Sequence, residues 1–266
     1  MSYTDPKDLI FKSPSEVKAF AKWYLGTNIT ATPDDEFSSE QEKDDFLYRR
    51  SSRLEVEVDN LRDININSAC DTSYQDQTIF RLCKESHQPL STVGSDRKSS
   101  RFNFKESALF KNRLLYLGQD KECCYGEIFH NDYMTQCYPE FEQPRADELP
   151  RAKYKIVEYQ VSVPDILVVT SSSTFKALGI PQGALKDEWF ELNLNYNIPS
   201  SSQILGAIAR AHGYNGILYC SVRNQTKNNL VLFEDNVGEL DLVCKEISSA
   251  PFDLDAYEKQ LGIRKS

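Results

Sequence analysis

From Lys155 to Val163 the chain alternates, with Val157, Tyr159, Val161 and Val163 on one side and Glu158, Gln160 and Ser162 on the other. A period of two predicts a half-buried strand, and the apolar run Asp165–Thr170 that follows predicts a more central one. A chain that opens its second half this way must build a sheet. Shorter runs supply its partners. Ile79–Leu82, Leu114–Leu117 (ended by Gly118) and Gly216–Ser221 each read as a strand. Asn229–Phe233 reads as an antiparallel neighbour of Gly216–Ser221 across a polar hairpin, and Leu240–Cys244 as a further strand. Helices are fewer. Ser13-Pro14-Ser15-Glu16 fits a capping box before the apolar face Val17, Phe20, Ala21 and Tyr24, with Gly26 as the stop. Ser171–Leu178 is predicted as a short helix stopped by Gly179. Pro199 and its serines open another, with the face Ile204, Leu205, Ile208 and Ala209. Residues 181–198 read as a loop around Trp189, and 131–153, with three prolines, as an irregular excursion. Strands outnumber helices and their order is mixed, so the expected class is α+β.

At 266 residues the chain has room for one substantial core, or one domain with a sizeable extension. Residues 1–76 read as that extension, a helix plus an acidic polar segment in which Asp34–Asp45 holds seven carboxylates against one lysine. That segment reads as a solvated face rather than a docking element. Residues 246–266 read as a C-terminal helical tail. No apolar run reaches the roughly 18 residues that span a bilayer, and no secretory signal opens the chain. The expectation is therefore a cytoplasmic protein without a membrane partner, delivery into another cell by a secretion system staying open. A net charge of -9 argues against a nucleic-acid partner. The seven cysteines are scattered without a CxxC pair and the three histidines are dispersed, so reduced thiols and no metal site are expected.

One stretch runs against the acidic balance. Arg97, Lys98, Arg101, Lys105, Lys111 and Arg113 fall within seventeen positions, just before the strand that holds Tyr116. A segment with helical spacing follows and carries Glu127. An arginine, a strand tyrosine and a helix glutamate are thus candidates to meet in one pocket.

The runs Ile79–Phe104, Leu114–Glu127 and Ile204–Phe233, in that order and with an eleven-residue step from Tyr116 to Glu127, resemble the RES domain family. The resemblance covers about residues 77–245. Position by position, Arg101 of Ser-Arg-Phe-Asn matches the family arginine, Tyr116 the strand tyrosine, Glu127 the glutamate and Ser221 the serine. Arg81 matches an arginine near the start of the domain. Ser100 stands where the family has glycine, Cys220 where it has proline, and several extra residues separate Arg101 from Tyr116. The resemblance implies an ADP-ribosyltransferase-like mixed and antiparallel β core with flanking helices, and an NAD-consuming toxin restrained by a cognate antitoxin or immunity protein.

Under that resemblance the side chains take roles that their chemistry fits. A guanidinium matches phosphate oxygens two at a time, which suits Arg101, and second Arg81, to the pyrophosphate of NAD. Cleaving the nicotinamide bond develops positive charge on the ribose, which Glu127 would stabilise. Tyr116 offers a ring for nicotinamide and a hydroxyl for the sugar. Ser221 holds a ribose or phosphate oxygen, and Asn103 and Asn229 are weaker binding candidates. Each also has a plainer reading: a surface ion pair, a solvated glutamate, a core aromatic, a turn serine, an amide satisfying backbone. NAD is expected as substrate, not as a resident cofactor. The acceptor stays open between inorganic phosphate (an NAD phosphorylase), water (a glycohydrolase) and a protein side chain (an ADP-ribosyltransferase). A catalytically silent nucleotide-binding module is the reading of a different class.

Overall fold

The computed structural model describes residues 2–28, 37–66, 71–125, 127–128, 153–181, 183, 185, 189–221 and 226–260. Six strands form one mixed sheet: β1 (Asp71–Lys84), β2 (Leu114–Gly118), β3 (Tyr154–Val169), β4 (Gly216–Cys220), β5 (Asn228–Phe233) and β6 (Cys244–Phe252). Their order is β1-β2-β5-β4-β3-β6, and β1 also pairs with β3, so the first five strands close into a ring. Every pairing is antiparallel except β3 with β4. The class is α+β, as expected.

The two strands expected over 155–170 are one. β3 alternates in burial through its first half and bends at the exposed pair Pro164–Asp165, where Asp165 takes a φ of 53°. Before the bend its outer neighbour is β6, and after it the neighbour is β4. Proline has no N–H to give a ladder, which places it naturally where one neighbour hands over to the next. β4 and β5 form the expected antiparallel pair, with Gly216 so close to β5 that a Cβ there would lie 2.3 Å from the Val231 carbonyl oxygen.

The helices are α1 (Pro14–Asn28), α2 (Glu40–Asp59), α3 (residues 121–125 and 127–128), α4 (Ser172–Leu178), α5 (Trp189–Tyr196), α6 (Ser201–Ala211), α7 (Glu234–Val237), α8 (Leu240–Val243) and α9 (Leu254–Gln260). Ser171 caps α4 and Gly179, at φ 72°, ends it. Ser200 caps α6 in a reciprocal box with Gln203. Four expectations are corrected. α1 runs past Gly26 to Asn28, because that glycine keeps helical geometry. The loop around Trp189 is helix α5, whose buried residue is Leu192. Leu240–Val243 is a helical turn, and the strand begins only at Cys244. The supposed helical tail opens with most of β6, an edge strand exposed along nearly all its length. The excursion expected at 131–153 lies, up to residue 152, outside the described residues, as do Asp34–Glu36.

The largest correction concerns residues 1–76. They are not peripheral: Leu9, Phe11, Phe20, Tyr24, Leu54 and Val58 are fully buried in the same cluster as Phe102, Phe110, Ile204 and Ile208. The Tyr24 and Phe110 rings meet at 5.9 Å. On α2 the inward face is Arg50, Leu54, Glu57 and Val58, at the i, i+4, i+7, i+8 spacing of a helix face. Arg50 donates to the Asn197 carbonyl at 2.9 Å, and the Ser201 hydroxyl donates to the Glu57 carboxylate at 2.6 Å. β1, moreover, begins at Asp71, inside the supposed extension.

These contacts predict that Leu54→Ala destabilises the whole molecule by about 2–5 kcal/mol. Thermal or denaturant unfolding should shift as a single transition. An unchanged main transition would mark the N-terminal helices as separate after all.

Candidate functional site

The site begins with register. Gly118 on β2 pairs with Asn229 on β5, and Asn229 pairs with Tyr219 on β4. Directly opposed residues of antiparallel strands share a face, so these three form a row across the sheet. Tyr116, two residues before Gly118, lies on the same face. Gly118 contributes no side chain, and that absence admits α3. A Cβ there would stand 2.8 Å from the Cys124 sulfur, 3.0 Å from the Cys124 nitrogen and 3.1 Å from the Cys123 Cβ. The Asp120 carboxylate accepts from the Cys123 N–H at 2.8 Å at the start of the helix. Lys227 in the β4–β5 hairpin reaches Asp120 at 3.3 Å. Pressed onto the sheet in this way, α3 delivers Glu127 to Asn229, whose amide donates to the Glu127 carboxylate at 2.8 Å.

These residues line a cavity of about 630 Å³, within the roughly 300–1,000 Å³ of small-ligand sites. Glu127, Asn229, Tyr116, Tyr219 and Arg81 all face it, and residues of the connection after β1, among them His87, Gln88, Ser91 and Thr92, close one side. Thr92 donates to the Glu234 carboxylate, and Arg81 donates to the carbonyls of Pro89 and, at 2.9 Å, Ser91. Arg81 sits among Cys83, Tyr159, Cys124 and Cys244, and burial pulls its pKa below the usual value. No carboxylate among the described residues lies within ion-pair distance of it. A cation held away from water without a counter-charge favours an anionic ligand.

Arg101 occupies the turn Ser100–Asn103, beside the cavity rather than on the wall traced by its lining residues. One guanidinium nitrogen donates to the Leu185 carbonyl. Its charge nevertheless acts on the two cavity phenols. Burial pushes Tyr116 up to about 12; the Glu127 carboxylate adds to that rise, while Arg101 and hydrogen bonds from Ser100 and Phe102 oppose it. Tyr219 is also raised by burial, again with Glu127 and Arg101 acting in opposite senses. Guanidinium and carboxylate thus bear on the same two rings, both neutral at physiological pH.

Ser221 and Asn103 are not brought to the cavity. Ser221 is buried past the end of β4, its N–H donating to the Lys227 carbonyl at 2.8 Å. Asn103 is fully buried and structural. Its amide donates to the carbonyls of Ser95 (2.9 Å) and Lys98 (2.7 Å), and its oxygen accepts from the Asn112 N–H. Tyr219, which meets Phe102 edge-on at 4.9 Å, was missed from sequence. Its position two residues before Ser221, on the strand beside Asn229, was the available signal. The polar wall at residues 86–95 carried none.

If the close fit at Gly118 sets the position of α3, Gly118→Ala should displace the helix. The expected cost is about 1–3 kcal/mol, read as a lower Tm, and a crystal structure of the variant should show the Glu127–Asn229 hydrogen bond broken. An unchanged Tm with that bond intact would contradict the reading.

Three comparisons bear on this arrangement. The RES domain model matches residues 78–255, more than half of the chain. No curated protein matches the sequence. A chain in the crystal structure of the M. tuberculosis MbcT–MbcA toxin–antitoxin complex is similar at 16% identity with a TM-score of 0.53, over 72% of this chain and 90% of that one. At that identity the likeness is one of fold. The family model, matching well over half of the sequence, places the chain in the RES domain family.

Proposed function

We propose that this chain is an NAD-consuming toxin that cleaves the bond between nicotinamide and ribose, with inorganic phosphate as the acceptor. The observation that carries the reading is the Glu127 carboxylate, held by Asn229 at 2.8 Å on a cavity that also presents the guanidinium of Arg81, which has no carboxylate at ion-pair distance among the described residues. As the C1′–N bond breaks, its electron pair leaves with the nicotinamide nitrogen, neutralising that ring, and positive charge develops on the ribose. A fixed carboxylate beside the ribose stabilises this charge. An oxygen of phosphate then bonds to C1′, giving a ribosyl phosphate. Arg101 engages the pyrophosphate of NAD and Arg81 the acceptor phosphate, a task for which a planar fork of donors is suited. The neutral, only partly buried Tyr116 ring offers a face for nicotinamide.

The charge on Arg81 is the reason to place phosphate before water as acceptor, since water needs no cation to hold it. Family membership supports the wider reading of an NAD-acting toxin, and the fold neighbour in a toxin–antitoxin complex supports a cognate antitoxin as partner. Such a partner would act in the cytoplasm, where NAD is. Among the described residues no helix is long and apolar enough to cross a membrane.

Purified protein incubated with NAD, with and without phosphate, should release nicotinamide in the presence of phosphate and yield a phosphorylated ADP-ribose product by mass spectrometry. Release without phosphate would make water the acceptor. Glu127→Gln should lower the rate on the order of 10²-fold or more. A folded Glu127→Gln protein with wild-type turnover would remove the assignment, and no release from the wild type would favour a protein acceptor or a silent binding module.

A further inference from the structure

We infer that the phenol of Tyr116 serves the reaction through Arg101: it is a positioning residue that grips the turn on both sides of that arginine. The inference rests on the proposed use of Arg101 for the pyrophosphate. The Tyr116 oxygen accepts from the Phe102 N–H at 3.2 Å and lies 2.9 Å from the Ser100 hydroxyl. Ser100 and Phe102 are the two chain neighbours of Arg101. The oxygen expected to orient a sugar is therefore already engaged with the mount of the guanidinium.

The rest of that mount is equally fixed. Ser100 and Asn103 exchange backbone hydrogen bonds of 2.7 and 3.1 Å across the turn. The Gln203 amide, from α6, donates to the carbonyls of Ser100 at 2.8 Å and Asn103 at 3.0 Å. Gln203 is itself held, its oxygen accepting from the Ser200 N–H at 2.9 Å and from the Asn193 amide at 3.0 Å. Gly206 lets α6 lie flush on the turn, since a Cβ there would come within 3.0 Å of Phe102. An arginine side chain has many rotamers, and a fixed origin reduces what must be ordered when it meets a phosphate. Among these contacts the phenol alone reaches both neighbours of Arg101 from the cavity strand.

The test is a double-mutant cycle on NAD cleavage with Tyr116→Phe, Arg101→Ala and the double variant. Tyr116→Phe should lower kcat/KM by on the order of 10-fold, chiefly through KM. In the Arg101→Ala background the same change should cost less than about twofold, because the phenol then has no guanidinium to place. Ser100→Ala should move KM in the same direction by a smaller factor. Losses that multiply in the double variant would overturn the inference by showing that the phenol meets the substrate itself. A second readout needs no activity. The ¹⁵N signal of Arg101 Nε should be single and sharp in the wild type and broadened in Tyr116→Phe, and an unaltered signal would also overturn it. If the wild type releases no nicotinamide, the functional reading fails while the NMR comparison still decides whether the phenol positions Arg101.

Discussion

A glycine with no room for a methyl group holds the site together. Gly118 ends β2 in line with Asn229 and Tyr219, and the space its missing side chain leaves is filled by Cys123 and Cys124 at the start of α3. The helix is thereby seated on the sheet at a fixed height. Glu127, about one turn later, has its carboxylate within hydrogen-bonding reach of Asn229. Asp120 reinforces the seat from both directions, accepting from the helix N–H of Cys123 and pairing with Lys227 from the neighbouring hairpin. Sheet register, a tight approach and a capped helix start combine to put one carboxylate at one point on the cavity wall.

Charge is then distributed about a neutral floor. Burial keeps the phenols of Tyr116 and Tyr219 protonated, so neither competes with Glu127 as an anion. The two arginines stand at different places. Arg81 is in the wall without a carboxylate among the described residues, and Arg101 is on a braced turn beside it. Separated cations with one carboxylate between neutral rings form a field suited to a ligand that is anionic at one end and develops positive charge at the other.

Much of the sheet was legible because its strands obey a period of two. Tyr116 followed from a short apolar run closed by Gly118, the β4–β5 pair from two apolar runs across a polar hairpin, and Glu127 from helical spacing and the family resemblance. What stayed hidden has identifiable causes. The inward face of α2 is helical in spacing, but two of its four buried residues are Arg50 and Glu57, so hydrophobic periodicity could not reveal that the N-terminal region belongs to the core. The α1 face was readable, whereas its partner Phe110 is far along the chain. β6 is an exposed edge strand with no alternation to read, and α5 is short and mixed in polarity. At the site, sequence could not tell that Asn103 spends its amide inside a loop or that Ser221 stays outside the cavity. It also could not tell that the Tyr116 hydroxyl is taken by the Arg101 turn. Those are matters of tertiary hydrogen bonding, settled by which backbone groups happen to lie within reach.

The most direct measurement is a crystal structure of the protein with a non-cleavable NAD analogue in which carbon replaces the ribose ring oxygen. The account predicts the analogue in this cavity, with its ribose hydroxyls at hydrogen-bonding distance from the Glu127 carboxylate and its pyrophosphate against a guanidinium. An analogue bound on another surface, or one lying in the cavity with the ribose turned away from Glu127, would contradict it.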